Sequence, residues 1–155
     1  MLNWLRTRWR VTYDLVRMEL TSHLDPVKVF WALFTGTTVG ATPMWGLHVG
    51  IAILFARIFR LNHALVQLAC ASVSNPIAGP PLLAFEAALG SWFRGNGFTL
   101  PTVDLSGGFE PVLALGWGIV IDLVLGGLAV SPVLGVIWGF GGLALARRWR
   151  RQDGG

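Results

Sequence analysis

Three long apolar segments dominate the pattern of hydrophobic and polar positions along the chain. Residues 29–56 and residues 61–85 contain no Asp, Glu, Lys or Arg, and residues 111–146 contain Asp122 as their only charge. Each segment exceeds the roughly 20 residues that an α-helix needs to cross a bilayer. The pattern therefore predicts an all-α integral membrane protein.

Each apolar segment is interrupted near its middle by a helix-capping residue followed by proline. The pairs are Thr42-Pro43, Asn75-Pro76 and Ser131-Pro132. Such a pair is typical of a helix start, because proline fits the first helical turn after a capping side chain. Each segment is therefore predicted to consist of two helical pieces, re-entrant or kinked. A simple kink within one helix is the alternative at Pro43 and Pro132, whereas residues 75–81 cannot form regular helix.

Helix lengths and charge placement favour hairpins over single spans. Residues 26–41 and 61–74 would form helices of about 24 and 21 Å at roughly 1.5 Å per residue, which are too short to cross a hydrocarbon core of about 30 Å upright. Arginine clusters at residues 57–60 and at the C-terminus favour the cytoplasm. We expect a multi-pass protein of the bacterial inner membrane with both termini cytoplasmic. Its broken hairpins would cover residues 25–60, 61–94 and, with the basic C-terminus, 111–151.

The remaining parts of the chain are an N-terminal helix and one polar loop. Residues 1–24 are predicted to form an amphipathic helix, because apolar residues recur there at helical spacing and arginines follow one position later. Such a helix suits the headgroup region, and packing on the surface of the membrane domain is the alternative. Residues 95–110 are predicted to form a polar, glycine-rich loop. Residues 25–151 then make a single membrane domain.

Composition excludes two other classes of protein. Hydrophobic residues make up 54% of the 155 residues and charged residues only 13%, whereas a soluble domain carries about 25% charged residues. With a mean hydropathy of +0.60, the chain has too few polar residues to cover a soluble surface and too many apolar ones for a disordered protein. The net charge of +4 comes from arginines at the ends of apolar runs, which suits anionic lipids better than nucleic acid.

Motifs for catalysis or metal binding are absent from the sequence. It has no phosphate-binding glycine loop, no His-Glu-x-x-His and no Gly-x-Ser-x-Gly motif. None of His23, His48 and His63 is followed by a second ligand three or four residues later, and the single Cys70 excludes a multi-cysteine site. We therefore predict no catalytic residue, metal or cofactor. Enzymatic activity is the less favoured possibility.

The helix breaks are the candidate ligand site. A half-helix that starts at Thr42-Pro43 would direct unpaired N–H groups and the positive end of its dipole into the membrane, and a second start at Asn75-Pro76 or Gly79-Pro80 would do the same. Paired broken helices are typical of transporter sites that hold anionic groups, such as a lipid phosphate or a small carboxylate. A non-transporting scaffold or assembly factor is the alternative.

Buried polar residues near the breaks supply the candidate site residues. We expect His48, Asn75 and Asp122 to line one shared cavity, because polar groups in hydrocarbon are costly unless they are paired. The alternative is that Asp122 pairs locally near a membrane surface and that His48 is a packing residue. The predicted ligand-binding residues are Thr42, Pro43, Trp45, His48, Ser74, Asn75, Pro76 and Asp122.

Sequence motifs at the same breaks resemble a known family. They are the residues from Thr42 to His48 (Thr-Pro-Met-Trp-Gly-Leu-His), the turn Arg60-Leu61-Asn62, and Ser74-Asn75-Pro76 followed by Pro80-Pro81. Their joint spacing, over about residues 26–95, resembles the bacterial membrane-domain family known as a domain of unknown function, DUF2062. Aromatic residues often follow the second proline cluster in that family, where this chain has Leu82, Leu83 and Phe85. The resemblance implies a membrane architecture and no particular activity.

Glycine pairs inside the apolar segments favour close helix packing. They are Gly36 and Gly40, Gly46 and Gly50, and Gly135 and Gly139. Small residues at this spacing let helix backbones approach one another in a membrane. Because short helices leave breaks that one small chain can hardly cover, we also expect a homo-oligomer, most simply a symmetric dimer.

Overall fold

The computed structural model describes residues 25–43, 46–98 and 116–153, and every regular element within those ranges is an α-helix. The helices are α1 (Pro26–Ala41), α2 (His48–Ile58), α3 (His63–Val73), α4 (Gly79–Phe93) and α5 (Gly116–Asp153). The all-α prediction is therefore confirmed for this part of the chain. The expected amphipathic helix over 1–24 and residues 99–110 of the expected polar loop lie outside the described residues.

Capping residues define the starts of α1 and α3. The Asp25 side chain accepts a hydrogen bond from the Val27 N–H at 3.0 Å, and Pro26 occupies the first helical position, where no N–H is needed. The Asn62 side chain accepts from the Leu65 N–H at 3.1 Å in the same way. These starts follow from local sequence alone.

Glycines bring α1 and α3 into backbone contact. A Cβ atom at Gly36 would meet the Val66 carbonyl, and a Cβ atom at Gly40 would meet the Cys70 carbonyl. Because residue numbers rise together along both helices, α1 and α3 run parallel. The intervening helix α2 returns antiparallel, since the Gln67 side chain of α3 donates to the Val49 carbonyl of α2 while residues 59–62 connect the two. Helices α1 and α2 are therefore antiparallel.

The long helix α5 packs against both α1 and α4. Its C-terminal half meets α1, where Gly135 lies against Phe34 and Gly139 against Phe30. Its N-terminal half meets α4, where Gly126 lies against the Glu86 carbonyl. The α4 residue Gly90 in turn lies against the Asp122 carbonyl of α5. Since residue numbers run in opposite directions in both contacts, α1 and α4 are each antiparallel to α5.

The second segment, residues 61–94, does not form the expected hairpin. Helix α3 is parallel to α1, and α1 and α4 are both antiparallel to α5, so α3 and α4 point the same way. The break at residues 74–78 interrupts the backbone without reversing it. Glycine contacts explain the direction of α4. Gly90 lies against Asp122 and Gly126 lies against Glu86, and a reversed α4 could not keep both contacts.

The third segment is one helix, and the expected hairpin over 111–151 is wrong. Helix α5 runs for 38 residues with Pro132 inside it. Proline removes one intrahelical hydrogen bond. The flanking turns are held by α1, because Gly135 packs on it and the Thr38 hydroxyl donates to the Ser131 carbonyl at 3.4 Å. The alternative, in which Pro132 lies within one helix, is therefore the arrangement found.

Two of the three predicted glycine pairs are used inside the chain. Gly36 and Gly40 contact α3, and Gly135 and Gly139 contact α1. By contrast, a Cβ atom at Gly46 or Gly50 would meet no atom within 4 Å. Close helix packing is therefore confirmed within the described residues, and it no longer argues for self-association except on the outer face of α2.

Helix α5 is the one described helix that is long and apolar enough to cross a membrane. The stretch Gly116–Gln152 has an 18-residue window with a mean hydropathy of 2.2. Helices α2 and α3 are apolar but shorter. The small buried core lies between α1, α2, α3 and the end of α5, where Val29, Ala52, Leu65 and Ala146 are enclosed.

The glycine contact between α1 and α3 generates a stability prediction. We expect Gly36→Ala to lower the free energy of unfolding by about 1–3 kcal/mol, because its methyl group would meet the backbone carbonyl of Val66, which cannot move aside. Gly50→Ala is the matched control, since its methyl group meets open space and alanine favours helix by about 1 kcal/mol. Thermal unfolding of both variants in detergent measures the difference. Equal stability of the two variants would contradict the packing described here.

Candidate ligand site at the two helix breaks

The two helix breaks, although distant in sequence, line one cavity. Its volume is about 280 Å³, and we call it the break cavity. Both breaks contribute residues to its wall. The lining residues are Gly40, Ala41, Thr42, Gly46, His48, Val73, Ser74, Asn75, Pro76, Gly79, Leu82 and Leu83. Five of the eight predicted site residues are among them.

Hydroxyl groups at this cavity bond to the ends of their own helices. The Thr42 hydroxyl donates to the Val39 carbonyl at 2.6 Å, and the Ser74 hydroxyl donates to the Cys70 carbonyl at 2.7 Å. Each adds a second hydrogen bond to a carbonyl in the last turn of α1 or α3, which also accepts the N–H of the same residue. With its hydrogen committed, each hydroxyl oxygen keeps lone pairs with which to accept a hydrogen bond.

Asn75 organises the second break. Its Nδ2 atom donates to the Ser72 carbonyl at 2.7 Å, while its Oδ1 atom accepts from the N–H groups of Ile77 and Ala78, both at 2.9 Å. Its own carbonyl accepts from the Gly79 N–H at 2.8 Å. One side chain thus ends α3 and prepares the start of α4.

The start of α4 offers no free N–H group, contrary to expectation. The N–H groups of residues 77–79 all bond to Asn75, and that of Leu82 bonds to the Ala78 carbonyl. Pro80 and Pro81 have no N–H at all. The same asparagine and prolines that predict a helix start therefore satisfy it locally, so this half-helix cannot hold an anion through its backbone.

The start of α2 differs from that of α4. Leu47 occupies the cap position and provides no side-chain hydrogen bond. Gly46 precedes it with a φ of +80°, a conformation that glycine adopts without strain. Because Gly46 and His48 both line the cavity, the positive end of the α2 dipole lies at its wall.

The other three predicted site residues lie outside the break cavity or outside the described residues. Pro43 packs against α5, where its Cδ atom lies 2.8 Å from the position of a Cβ atom at Gly127. Trp45 lies outside the described residues. Asp122 belongs to a different contact on α5, so the expectation that it shares a cavity with His48 and Asn75 is wrong.

Asp122 forms a two-pronged ion pair with Arg94. The Arg94 Nε atom donates to Asp122 Oδ1 at 2.6 Å, and Nη2 donates to Oδ2 at 2.8 Å. The Arg94 side chain is 33% exposed and that of Asp122 11%. Because α4 ends beside the start of α5, Arg94 can reach the acidic side chain in the first half of that helix. The alternative of local pairing is therefore the arrangement found.

Glu86 is a buried polar residue that the sequence interpretation did not assign to the site. It has no exposed surface, and neither carboxyl oxygen has a hydrogen-bond partner among the described residues. The available signal was its position at the end of an apolar run, four residues before Gly90 on the same helical face. In the described ranges no three His, Cys, Asp or Glu side chains converge to hold a metal ion.

The ion pair predicts different stability costs for the loss of Arg94 and the loss of Asp122. We expect Arg94→Met to lower the free energy of unfolding more than Asp122→Leu, with a cost of about 1–3 kcal/mol, because it leaves a nearly buried carboxylate without its partner. In Asp122→Leu the partly exposed Arg94 can turn to water or headgroups. Chemical unfolding of the two variants and of the double variant measures these costs. A larger cost for Asp122→Leu would contradict this account.

Comparison with known proteins identifies one family. No curated protein and no solved structure matches the chain. The family described as "Uncharacterized protein conserved in bacteria (DUF2062)" matches residues 9–154, which include both breaks and all of α5. The resemblance expected from the break motifs is thus confirmed over nearly the full length. The chain belongs to the bacterial DUF2062 family.

Proposed function

We propose that this chain is a multi-pass protein of the bacterial inner membrane that binds a small anionic ligand in the break cavity and has a transport-like role. The observation that carries the proposal is the convergence of two broken segments on one cavity with polar residues in its wall. Broken helices that meet at a polar cavity are the usual form of substrate sites in membrane transporters.

The surface supports residence in a membrane. Large apolar side chains face outward on four helices, for example Trp92 at 56% exposure, Leu128 at 63% and Ile58 at 59%. A water-soluble monomer rarely exposes so large an apolar surface. On α5, the 24 residues between Asp122 and Arg147 carry no charge, which corresponds to about 36 Å of helix and spans a hydrocarbon core of about 30 Å.

Charged residues collect at the two ends of the helix bundle. The basic end holds the start of α1, the turn between α2 and α3, and the end of α5, because α1 and α3 are parallel and α5 is antiparallel to them. Its cationic residues are Lys28, Arg57, Arg60, Arg147, Arg148, Arg150 and Arg151. The ion pair of Arg94 and Asp122 lies at the opposite end. By the positive-inside rule, the basic end is cytoplasmic.

A groove at the basic end suits a lipid chain. It has a volume of about 420 Å³ and is lined by the rings of Trp31, Phe34 and Phe59, with Lys28 at its edge. Aromatic rings beside a lysine are typical of the membrane interface, where the amine reaches the headgroups. This groove supports membrane lipids as partners of the chain.

The proposed topology predicts opposite exposure of the two ends. In a Cys70→Ala background, we expect a cysteine at Arg60 to react with a membrane-impermeant thiol reagent only after the cells are opened. A cysteine at Gly95 should react in intact spheroplasts, because α3 and α4 together cross the membrane. Reaction of both positions from the same side would contradict a crossing by α3 and α4. The hairpin predicted over residues 61–94 would place Arg94 on the cytoplasmic side instead. The experiment therefore distinguishes that hairpin from a crossing by α3 and α4.

The lining groups specify the chemistry of the ligand. The positive end of α2 favours negative charge. The hydroxyl oxygens of Thr42 and Ser74 can only accept hydrogen bonds, since their hydrogens are already donated. A ligand with an anionic group and its own hydroxyl or ammonium donors matches this set. Phosphatidylglycerol headgroups have both, and a hydroxylated carboxylate has the same combination.

A non-transporting scaffold is the second candidate function, and one observation favours it. All the hydrogen bonds described for Thr42, Ser74 and Asn75 are local, within four residues. Breaks that satisfy themselves in this way need no ligand, and folding a compact bundle is then a sufficient role for them. Self-association then uses the outer face of α2, where Gly46 and Gly50 are open and Val49, Ile53 and Leu54 are exposed.

Lipid retention distinguishes the two functions. In nanodiscs of phosphatidylcholine with phosphatidylglycerol, we expect the full chain to retain phosphatidylglycerol in native mass spectrometry, and we expect His48→Leu to reduce this retention at least threefold. Arg57→Leu is the control for general attraction of anionic lipid to the basic end, because Arg57 lines neither the break cavity nor the groove, and it should leave retention unchanged. Competition with glycerol phosphate distinguishes a soluble anion from a lipid headgroup.

Equal retention by wild type and His48→Leu, with both proteins folded, would contradict ligand binding at the break cavity. The scaffold function predicts that result together with a loss of stability in Asn75→Ala. That variant removes the acceptor for two N–H groups at the second break and should cost about 0.5–2 kcal/mol.

A further inference from the structure

Glu86 lies where three parts of the chain meet. It belongs to α4, its carbonyl packs on Gly126 of α5, and its carboxyl group points towards Gly127. Its Oε2 atom lies 3.5 Å from the position of a Cβ atom at Gly127, and the Cδ atom of Pro43 lies 2.8 Å from the same position. The carboxyl group therefore sits beside the first helix break, in the space that the absent side chain of Gly127 leaves.

Packing alone does not account for a carboxyl group at this place. Both oxygens are enclosed and have no hydrogen-bond partner among the described residues. A buried polar group without a partner costs free energy that an apolar side chain of similar size would not. The close contact of α4 with α5 is made by Gly90 and Gly126 and does not use the carboxyl group. Its chemistry, rather than its shape, therefore explains its presence.

No cation neutralises Glu86 from the described elements packed against it. On α5, the charged residue nearest along the helix is Asp122, about one turn away, and it is bonded to Arg94 of α4. At the first break, Pro43 has no charge and the Thr42 hydroxyl donates to the Val39 carbonyl. An unpaired carboxylate in a low-dielectric site is far more costly than the neutral acid. The described arrangement therefore suits a carboxyl group that carries a proton.

The break cavity gives this group a route to water. Leu82 and Leu83, about one turn before Glu86 on α4, line the cavity, and so does Thr42, the neighbour of Pro43. A displacement of Pro43 from Gly127 would join the cavity to the carboxyl group. An ionisable residue enclosed in a membrane protein and adjacent to a polar cavity is a common form of proton site.

We propose that Glu86 is a proton-binding site served by the break cavity. When Pro43 moves and water enters, the O–H bond of the carboxyl group breaks and the proton passes to a cavity water. This leaves the Glu86 carboxylate and a hydronium ion, and the reverse step restores the acid. The proposal rests on the proposed function, because the same cavity would bind the anionic ligand and exchange the proton.

Infrared spectroscopy tests the protonation without any ligand. In membranes at neutral pH, we expect the wild type to show the carbonyl-stretch band of a protonated carboxyl group, and we expect Glu86→Gln to lack it. Asp122→Asn is the matched control and should keep the band, because it removes a carboxyl group that is bonded to Arg94 and leaves Glu86 in place. A band that persists in Glu86→Gln, or that is absent from the wild type, would overturn the proposal. This result is independent of whether phosphatidylglycerol binds.

Cysteine labelling tests the connection to the cavity. With Cys70→Ala and Leu83→Cys, we expect the rate of labelling by a water-soluble thiol reagent to rise more steeply with pH when Glu86 is present than in Glu86→Gln. The same reporter thiol in both proteins removes the effect of its own ionisation. A difference of at least threefold at alkaline pH supports the proposal, and identical pH profiles would overturn the link between Glu86 and the cavity. Circular dichroism of each variant confirms that it is folded.

Discussion

Backbone contact at glycine is the constraint on which the rest of this structure depends. Five close contacts, at Gly36, Gly40, Gly90, Gly126 and Gly135, hold α1 against α3 and α5, and α4 against α5. A glycine lets two helix backbones approach closely, so these contacts and the dispersion energy that comes with them determine which helices meet. These contacts also determine helix directions, since each glycine must face one particular partner residue.

The arrangement of the two breaks follows from these contacts. Because α1 and α3 run parallel and in register, their C-terminal ends lie side by side, and the chain segments that follow them must share one region. Thr42 and Ser74 each return a hydrogen bond to the last turn of their helix, and Asn75 supplies the start of α4. The result is a polar cavity whose walls are locally satisfied. This explains why it is compatible with a stable bundle.

Two acidic residues away from the cavity, Asp122 and Glu86, have different surroundings. Arg94 and Asp122 neutralise each other at one end of the bundle, where partial exposure keeps the cost of the charges low. Glu86, about one turn further into the bundle, has neither a cation nor a hydrogen-bond donor among the described residues. The two acidic residues at the contact of α4 and α5 thus differ: Asp122 is ion-paired, and Glu86 is enclosed without a partner among the described residues.

The sequence by itself determined the helical class, two of the three predicted breaks, and five of the residues that line the cavity there. These properties depend on local chemistry: apolar runs of sufficient length, prolines without an N–H, and capping side chains such as Asp25 and Asn75 that act within a few residues. What only the tertiary structure decided was direction and partnership. Whether α4 turns back or continues, whether Pro132 divides α5, and whether Asp122 meets His48 or Arg94 all depend on which glycine faces which carbonyl across a helix pair. A glycine spacing in the sequence indicates that a close contact exists, but it carries no information on the partner, because many helix faces can accept a glycine and only the assembled bundle selects among them.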